Sequence, residues 1–310
     1  MNLEIQQKKE KGITLIALVI TIIVLLILAG VTIGTLTGDN GILTQAGKAK
    51  EQTKEKDALE KIKLQVLSSY RENGEIDLEE LNYNLENNIP ELIYNGNKLS
   101  KDNEIKKLPV MLILDTSRIV IEGNGNVTKV DYTELEYIES TGTQYIDTGL
   151  KPTVNTKCEF GVMTTSSTGA LIGYVRGNDD NDYRLFIYGN RLYFDFKNFR
   201  NSIYNPLEAN NYKKIEIGNY YVKVNDKQVI DDKYVSNFIA DYDIYIFKNS
   251  PKDTIASLYK LYYLKIYEGN ELVRDFIPVL DNKKVVCLYD KVENRFYYNQ
   301  GTGEFLGKER

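Results

Sequence analysis

Residues 11–33 read KGITLIALVITIIVLLILAGVTI, and no charge occurs between Lys11 and Asp39. Nothing else in the chain constrains its structure so strongly. A helix of about 20 apolar residues, rising 1.5 Å per residue, matches the roughly 30 Å hydrocarbon core of a bilayer. The run predicts a membrane-spanning or long amphipathic helix over residues 13–37, behind a short leader at 1–12. Lys8, Lys9 and Lys11 put positive charge ahead of it. That bias holds the N-terminus in the cytoplasm and sends the chain beyond about residue 37 to the outer side of the membrane. A secretory signal has a shorter apolar core and a small-residue cleavage site behind it. Here the glycine, Gly12, stands in front.

The composition excludes several kinds of chemistry. The chain has no histidine, which removes histidine-dependent catalytic triads, imidazole-ligated zinc and imidazole pH switches. Charged residues make up 27% of it and the net charge is −5, so no nucleic-acid surface is expected. Its two cysteines, Cys158 and Cys287, are too few for an all-cysteine zinc site or a disulfide-dense scaffold. A bridge between them is open outside the membrane, but two buried thiols are the expected arrangement, free cysteine being among the most buried residue types.

Gly30, Gly34 and Gly38 recur every fourth residue and line one helical face. Such a face lets a second helix approach closely in a membrane, and it equally suits a loosened helix exit near the interface. After the turn residues at 37–41, Leu59, Ile62, Val66 and Tyr70 mark the apolar stripe of a second helix running from Ile42 to about Tyr70. Asn73 and Gly74 stop it. Asp77 then caps a short helix, with Glu80 placed to reach back in a capping box. Residues 108–114, 118–121 and 127–130 read as strands. Segment 38–130 is thus a small α+β unit.

Two stretches in this half resemble a known family. Gly12-Ile13-Thr14-Leu15-Ile16 resembles the prepilin-type cleavage and methylation motif of type IV pilins and pseudopilins. Residues 37–51, TGDNGILTQAGKAKE, are similar to pilin-like proteins of clostridia-type Gram-positive bacteria. The resemblance implies cleavage after Gly12 by a prepilin peptidase, with Ile13 as the new terminus, and pilus or secretion-machine proteins as assembly partners. Ala17 departs from the pattern, standing where the family carries a glutamate that pairs with a neighbouring subunit's terminus.

From residue 131 the texture changes to short alternating strands separated by turn signals. Residues 145–149, 156–162, 185–188, 192–196, 212–217, 220–224, 244–247, 261–267 and 285–289 read as strands. Gly189-Asn190, Asn225-Asp226 and Gly269-Asn270 read as hairpin turns. About 180 residues of this kind fit one β-sandwich or jelly roll over 131–310. The overall class is therefore α+β, with an all-β outer part. Residues 135–149 and 265–305 resemble the opening and closing strands of laminin-G-like, concanavalin-A-like sandwich domains of bacterial surface and phage proteins. That resemblance implies binding of a glycan or a protein.

Three groups of side chains invite a chemical reading. Glu75, Asp77 and Glu79 share the spacing of a glucanase acid row, but a helix cap follows them where a strand is required. Asn178, Asp179, Asp180 and Asp182 crowd oxygen ligands into one loop, a set calcium accepts and one that turns also favour. Tyrosine reaches 24 residues while tryptophan is absent. Tyrosines cluster at Tyr183, Tyr188, Tyr193, Tyr220, Tyr221, Tyr242, Tyr245, Tyr259, Tyr262, Tyr263 and Tyr267. About half of them must face the core, and the others supply an exposed aromatic patch. The expectation is a non-enzymatic protein anchored in the cell membrane, N-terminus inside, whose outer sandwich binds a glycan or protein. A structural minor pilin or pseudopilin and a carbohydrate-active enzyme are the alternatives.

Overall fold

The structure, a computed structural model, describes residues 2–37, 41–166, 168–174, 182–197, 199–231, 237, 240–249 and 257–310. The chain divides into two compact units, Met1–Leu64 and Gln65–Arg310.

The first unit holds α1 (Asn2–Thr37) and most of α2 (Ile42–Ser68). The helix expected over 13–37 begins instead at Asn2, so Gly12 and Ile13 lie within it. From Leu18 to Ile33 its large apolar side chains are exposed, Leu25 and Leu26 by 65% and 67%. Thr21 and Thr32 turn their hydroxyls back onto the carbonyls of Ala17 and Leu28, at 2.7 Å each. Among the described residues, no helix is long and apolar enough to cross a membrane. The membrane span expected from the sequence over 13–37 is therefore not supported among the described residues. A Cβ at Gly30 would touch nothing within 4 Å. Gly34 lies on the same helix, and Gly38 falls outside the described residues.

In the second unit the end of α2 meets α3 (Leu78–Asn88). Val66, from the predicted stripe, is buried, as are Leu81 and Leu85 of α3. Asn84 donates to Ser69 Oγ at 3.1 Å, and Asn88 donates to Gln65 at 2.8 Å. Asp77 caps α3 as expected, accepting from the backbone N–H groups of Glu79 and Glu80. The reciprocal arm of the capping box is replaced. Asp77 N–H donates to the Ser69 carbonyl at 2.8 Å, leaving nothing for Glu80 to take up. Hydrogen bonds from Glu80 N–H and from Arg71 hold the Asp77 carboxyl below its usual range.

A five-stranded antiparallel sheet follows, made of β1 (Ile93–Tyr94), β2 (Asn97–Lys98), β3 (Val110–Leu114), β4 (Ser117–Ile121) and β5 (Val127–Lys129). Its order is β2-β1-β3-β4-β5. The first hairpin, with Asn95 and Gly96 both at positive φ, was not anticipated from the sequence.

The remaining strands build the sandwich. They are β6 (Tyr132–Glu139), β7 (Ile146–Asp147), β8 (Thr156–Thr164), β9 (Gly169–Tyr174), β10 (Asp182–Tyr188), β11 (Arg191–Lys197), β12 (Phe199–Tyr204) and β13 (Tyr212–Gly218). After them come β14 (Tyr221–Val224), β15 (Lys227–Asp231), β16 (Tyr245–Ile246), β17 (Tyr259–Glu268), β18 (Glu271–Asp281), β19 (Val286–Asp290), β20 (Arg295–Tyr297) and β21 (Leu306–Glu309). One sheet runs β12-β11-β10-β9-β16-β7. The ten-stranded sheet runs β15-β14-β13-β8-β17-β6-β18-β19-β20, with β21 also on β6. The three hairpin turns fall where expected, and Gly189, Asn190, Asn225, Asp226 and Gly269 all have positive φ there. Phe160, Leu185, Phe194, Ile215, Leu264 and Phe276 lie in the core shared by the two sheets.

A second apolar cluster lies outside that core. Tyr132, Ile277, Val279, Cys287 and Tyr289 pack with Val120, Val130, Met111 and Phe296. Along β18 and β19, residues alternate between the two clusters: Phe276 and Leu288 face the sandwich core, Ile277, Cys287 and Tyr289 the outer one. The five-stranded sheet therefore covers this part of the ten-stranded sheet. Arg118 fastens the seam, its guanidinium 4.3 Å from the Tyr132 ring centroid and donating to the Tyr132 carbonyl at 3.2 Å. Cys158 and Cys287 are free and buried. They occupy different clusters, and burial pushes both thiols up to about 12.

Candidate functional site

The tyrosines sort by strand register. Tyr183, Tyr220, Tyr245 and Tyr259 are buried, Tyr188 and Tyr242 are exposed, and Tyr193, Tyr221, Tyr262, Tyr263 and Tyr267 are half-buried. Four of these five half-buried rings, Tyr221, Tyr262, Tyr263 and Tyr267, belong to strands of the ten-stranded sheet. Tyr137 and Tyr212 join them; neither was singled out from the sequence.

Alternation alone does not explain this gathering. Leu261 and Leu264 of β17 both face the core, with two tyrosines between them. The register against β8 slips between Leu261 and Tyr263, a β-bulge that admits one extra residue. Tyr262 and Tyr263 therefore both turn outward. On the neighbouring strand Gly161 leaves the floor bare beneath Tyr263 and Tyr212. A Cβ there would lie 2.7 Å from Tyr212 Oη and 2.9 Å from Tyr263 Cε1. Gly218 does the same for the Tyr221 ring, at 2.5 Å. The rings thus lie down over glycine. Tyr212 and Tyr262 are 5.0 Å apart between centroids, and Tyr262 and Tyr137 are 5.7 Å apart.

Charges interleave with the rings. Lys260 pairs with Glu139 at 3.9 Å, and Lys214 with Glu159 at 3.8 Å and with Asp226 at 3.3 Å. Lys223 pairs with Glu216 at 2.9 Å. Three rings carry an ammonium group over a face: Tyr137 under Lys260 at 4.3 Å, Tyr267 under Lys157 at 4.2 Å, and Tyr221 under Lys223 at 5.0 Å. Burial lifts the phenols of Tyr221, Tyr262 and Tyr263 above their usual range; Glu216 adds to the shift at Tyr221, Glu136 at Tyr262, and Tyr212 and Glu159 at Tyr263. Burial favours protonation of Glu216 too, but hydrogen bonds from Lys223 and Tyr221 outweigh it and hold the carboxyl below its usual range. At neutral pH the face therefore presents neutral phenols and paired charges.

The six-stranded sheet carries a different arrangement. Successive registers align Asp147, Tyr245, Gly173, Arg184, Asp195 and Arg200 in one transverse row. Asp195 is 2% exposed and accepts from Arg184 Nε at 2.7 Å and from two Arg200 nitrogens at 2.8 Å each. Phe186 and Tyr193 stack beside it at 4.9 Å, with the Arg184 guanidinium 4.4 Å from the Phe186 centroid. At the other end of the row, burial and then the Asp147 carboxylate hold Asp243 above the usual carboxylate range. The same causes push Tyr245 up to about 12. No sequence spacing pairs Asp147 with Asp243. They meet only because β16 lies beside β7.

Other sequence candidates fare variously. Glu75, Asp77 and Glu79 lie at the α3 cap, away from any strand row. Asn178, Asp179 and Asp180 fall outside the described residues, while Asp182 opens β10 opposite Lys197. Among the described residues no group of three or more acidic or cysteine side chains converges on a metal position. A cleft of about 540 Å³ lies along the seam between the small sheet and the sandwich, lined by Tyr94, Met111, Arg118, Tyr132, Asp275 and Lys291 among others.

No protein-family model matches the chain, and no curated protein matches it in sequence. Solved structures similar in shape include a laminin fragment and a bacterial protein. Domains LG4-5 of the mouse laminin alpha1 chain share 13% identity at a TM-score of 0.37, over 69% of this chain and 52% of that one. This chain thus spans about half the length of the laminin fragment. A "putative carbohydrate binding protein" from Bacteroides ovatus ATCC 8483 shares 11% identity at a TM-score of 0.42, over 71% of this chain and 79% of that one.

Proposed function

We propose that this is a non-enzymatic binding protein, displayed outside the cell from an N-terminal membrane anchor, whose sandwich recognises a glycan or a protein. The observation that carries it is the outward half of the ten-stranded sheet formed by β13, β8 and β17. It gathers half-buried tyrosines over glycine where the other half of the sheet gathers a covered apolar layer. Aromatic rings that keep an open face suit recognition of an amphipathic partner. Anchoring draws on the exposed apolar side chains of α1 together with the sequence ahead of them. Counted from Ile13 to Ile33, the run has 21 residues, about 31 Å as a helix. Lysines ahead of it favour a cytoplasmic N-terminus. Processing after Gly12 by a prepilin peptidase, and pilus or secretion-machine partners, belong to the same reading.

The Asp147 and Asp243 pair favours a second reading, a carbohydrate-active enzyme, since a carboxyl that burial and a neighbouring carboxylate hold above its usual range can act as an acid. One experiment decides between them. Purified full-length protein is offered a panel of polysaccharides and surface proteins, and both retention and release of reducing ends are measured. Retention without release is the expected result. Reducing ends that appear with the parent and vanish with Asp243→Asn would establish the enzyme instead.

A further inference from the structure

The open half of the ten-stranded sheet also specifies the chemistry of its ligand. We propose that Tyr212, Tyr262 and Tyr263 form a stacking floor for an uncharged saccharide, an inference that rests on the binding-module reading above. Three observations carry it. First, the six tyrosines divide. Ammonium groups cover Tyr137, Tyr221 and Tyr267. Among the described residues no cation lies over Tyr212, Tyr262 or Tyr263, and Tyr212 is 44% exposed. Beyond the edge-to-face contact between Tyr212 and Tyr262, their ring faces remain for a ligand's C–H groups, which a π-face attracts through its negative quadrupole.

Second, the lysines bordering these three rings are matched by carboxylates: Lys260 by Glu139, Lys214 by Glu159 and Asp226, and Lys213 by Glu208 at 3.6 Å. An acidic glycan would have to break those pairs to gain its own, whereas an uncharged one leaves them intact. Third, the hydroxyls of Tyr262 and Tyr263 are committed to the protein. Tyr263 Oη donates to Glu159 at 3.4 Å, and Tyr262 Oη points to Met163 Sδ at 4.0 Å. The Tyr263 ring lies with that of Tyr212 over Gly161, and these anchors leave faces, not hydroxyl tips, to recognise the partner.

The test is retention of the full-length protein on insoluble cellulose and chitin, both uncharged, against polygalacturonate gel, which is acidic. Retention is expected on at least one uncharged matrix and unchanged from low to high salt, since screening acts only on charges. Tyr212→Ala should weaken it about tenfold, the loss of one ring contact. Tyr212→Phe keeps the ring and should bind like the parent. Tyr188→Ala, 66% exposed on the other sheet, should also change nothing. Gly161→Ala, which lifts the rings without removing them, should weaken retention while circular dichroism stays that of the parent. Salt-sensitive retention on polygalacturonate alone overturns the inference, as does a Tyr212→Ala protein that binds like the parent. Failure on every uncharged matrix overturns it even if a surface protein is captured through the same face, so the broader reading and this one fail separately.

Discussion

The outward surface of the ten-stranded sheet is two surfaces. Across β18 and β19 it shows Ile277, Val279, Cys287 and Tyr289, all at most 6% exposed beneath the five-stranded sheet. Across β13, β8 and β17 it shows Tyr212, Lys214, Glu159, Lys260 and Tyr263, half-buried or exposed. Backbone geometry is common to both halves, and both bury alternate residues in the same sandwich core. The difference lies in the residues left over. Where they are apolar, burying them beneath another layer gains roughly 25 cal/mol per Å², and a second sheet sits there. Where tyrosines alternate with paired charges, the desolvation cost of covering them leaves the face open. A sheet can thus have a structural half and a presenting half.

Removing residues 1–130 gives the harshest test of that division. Left bare, the covered half becomes a contiguous exposed apolar patch, and such patches drive association. Size-exclusion chromatography should find residues 131–310 aggregated or self-associated, and residues 65–310 monomeric. A truncated sandwich that is monomeric and melts at the same temperature as residues 65–310 would break the comparison.

Point substitutions should separate the halves by energy. Ile277→Ala is expected to cost about 2–5 kcal/mol in denaturant unfolding, the range for emptying a buried aliphatic site. Tyr212→Ala should stay within about 0.5 kcal/mol of the parent, as for other exposed positions. Similar losses at both sites would erase the distinction.

Thiol chemistry sharpens it further. With both thiols free, buried and pushed up to about 12, neither should react with a thiol reagent in the intact protein. Deleting the small sheet should expose Cys287 and leave Cys158 protected. Equal reactivity of both would place Cys287 in the wrong layer.

The smallest effect is expected at the far sheet. Burial and Asp147 raise Asp243 above its ordinary 3.8 in the folded protein. Its contribution to stability is therefore fully present below the unfolded value and is lost as pH rises through the folded one. Asp243→Asn should melt slightly above the parent at neutral pH and together with it near about pH 3, where both forms are uncharged. A parent that gains on the variant as pH rises would reverse the assigned sign.

Much of this architecture is legible in the chain. The alternation in KKIEIG marks a strand with one wet face, and β13 has one. The unbroken FIPVL and VVCLY runs carry the signature of strands buried on both faces, the condition observed for β18 and β19. Asp77 announces its helix, and three glycine- or asparagine-bearing turns announce their hairpins, because capping and positive φ are local chemistry. Other features are absent from any local window. A bulge in β17 turns two consecutive tyrosines to one side, and Gly161 of β8 lies beneath a ring from β13. Asp147 meets Asp243 across some ninety residues of intervening chain. Most of the face that the small sheet covers comes from β18 and β19, which begin more than a hundred residues later. Periodicity determined which residues each strand would bury; strand order and register, fixed only when distant segments pair, decided which of the remaining residues came together.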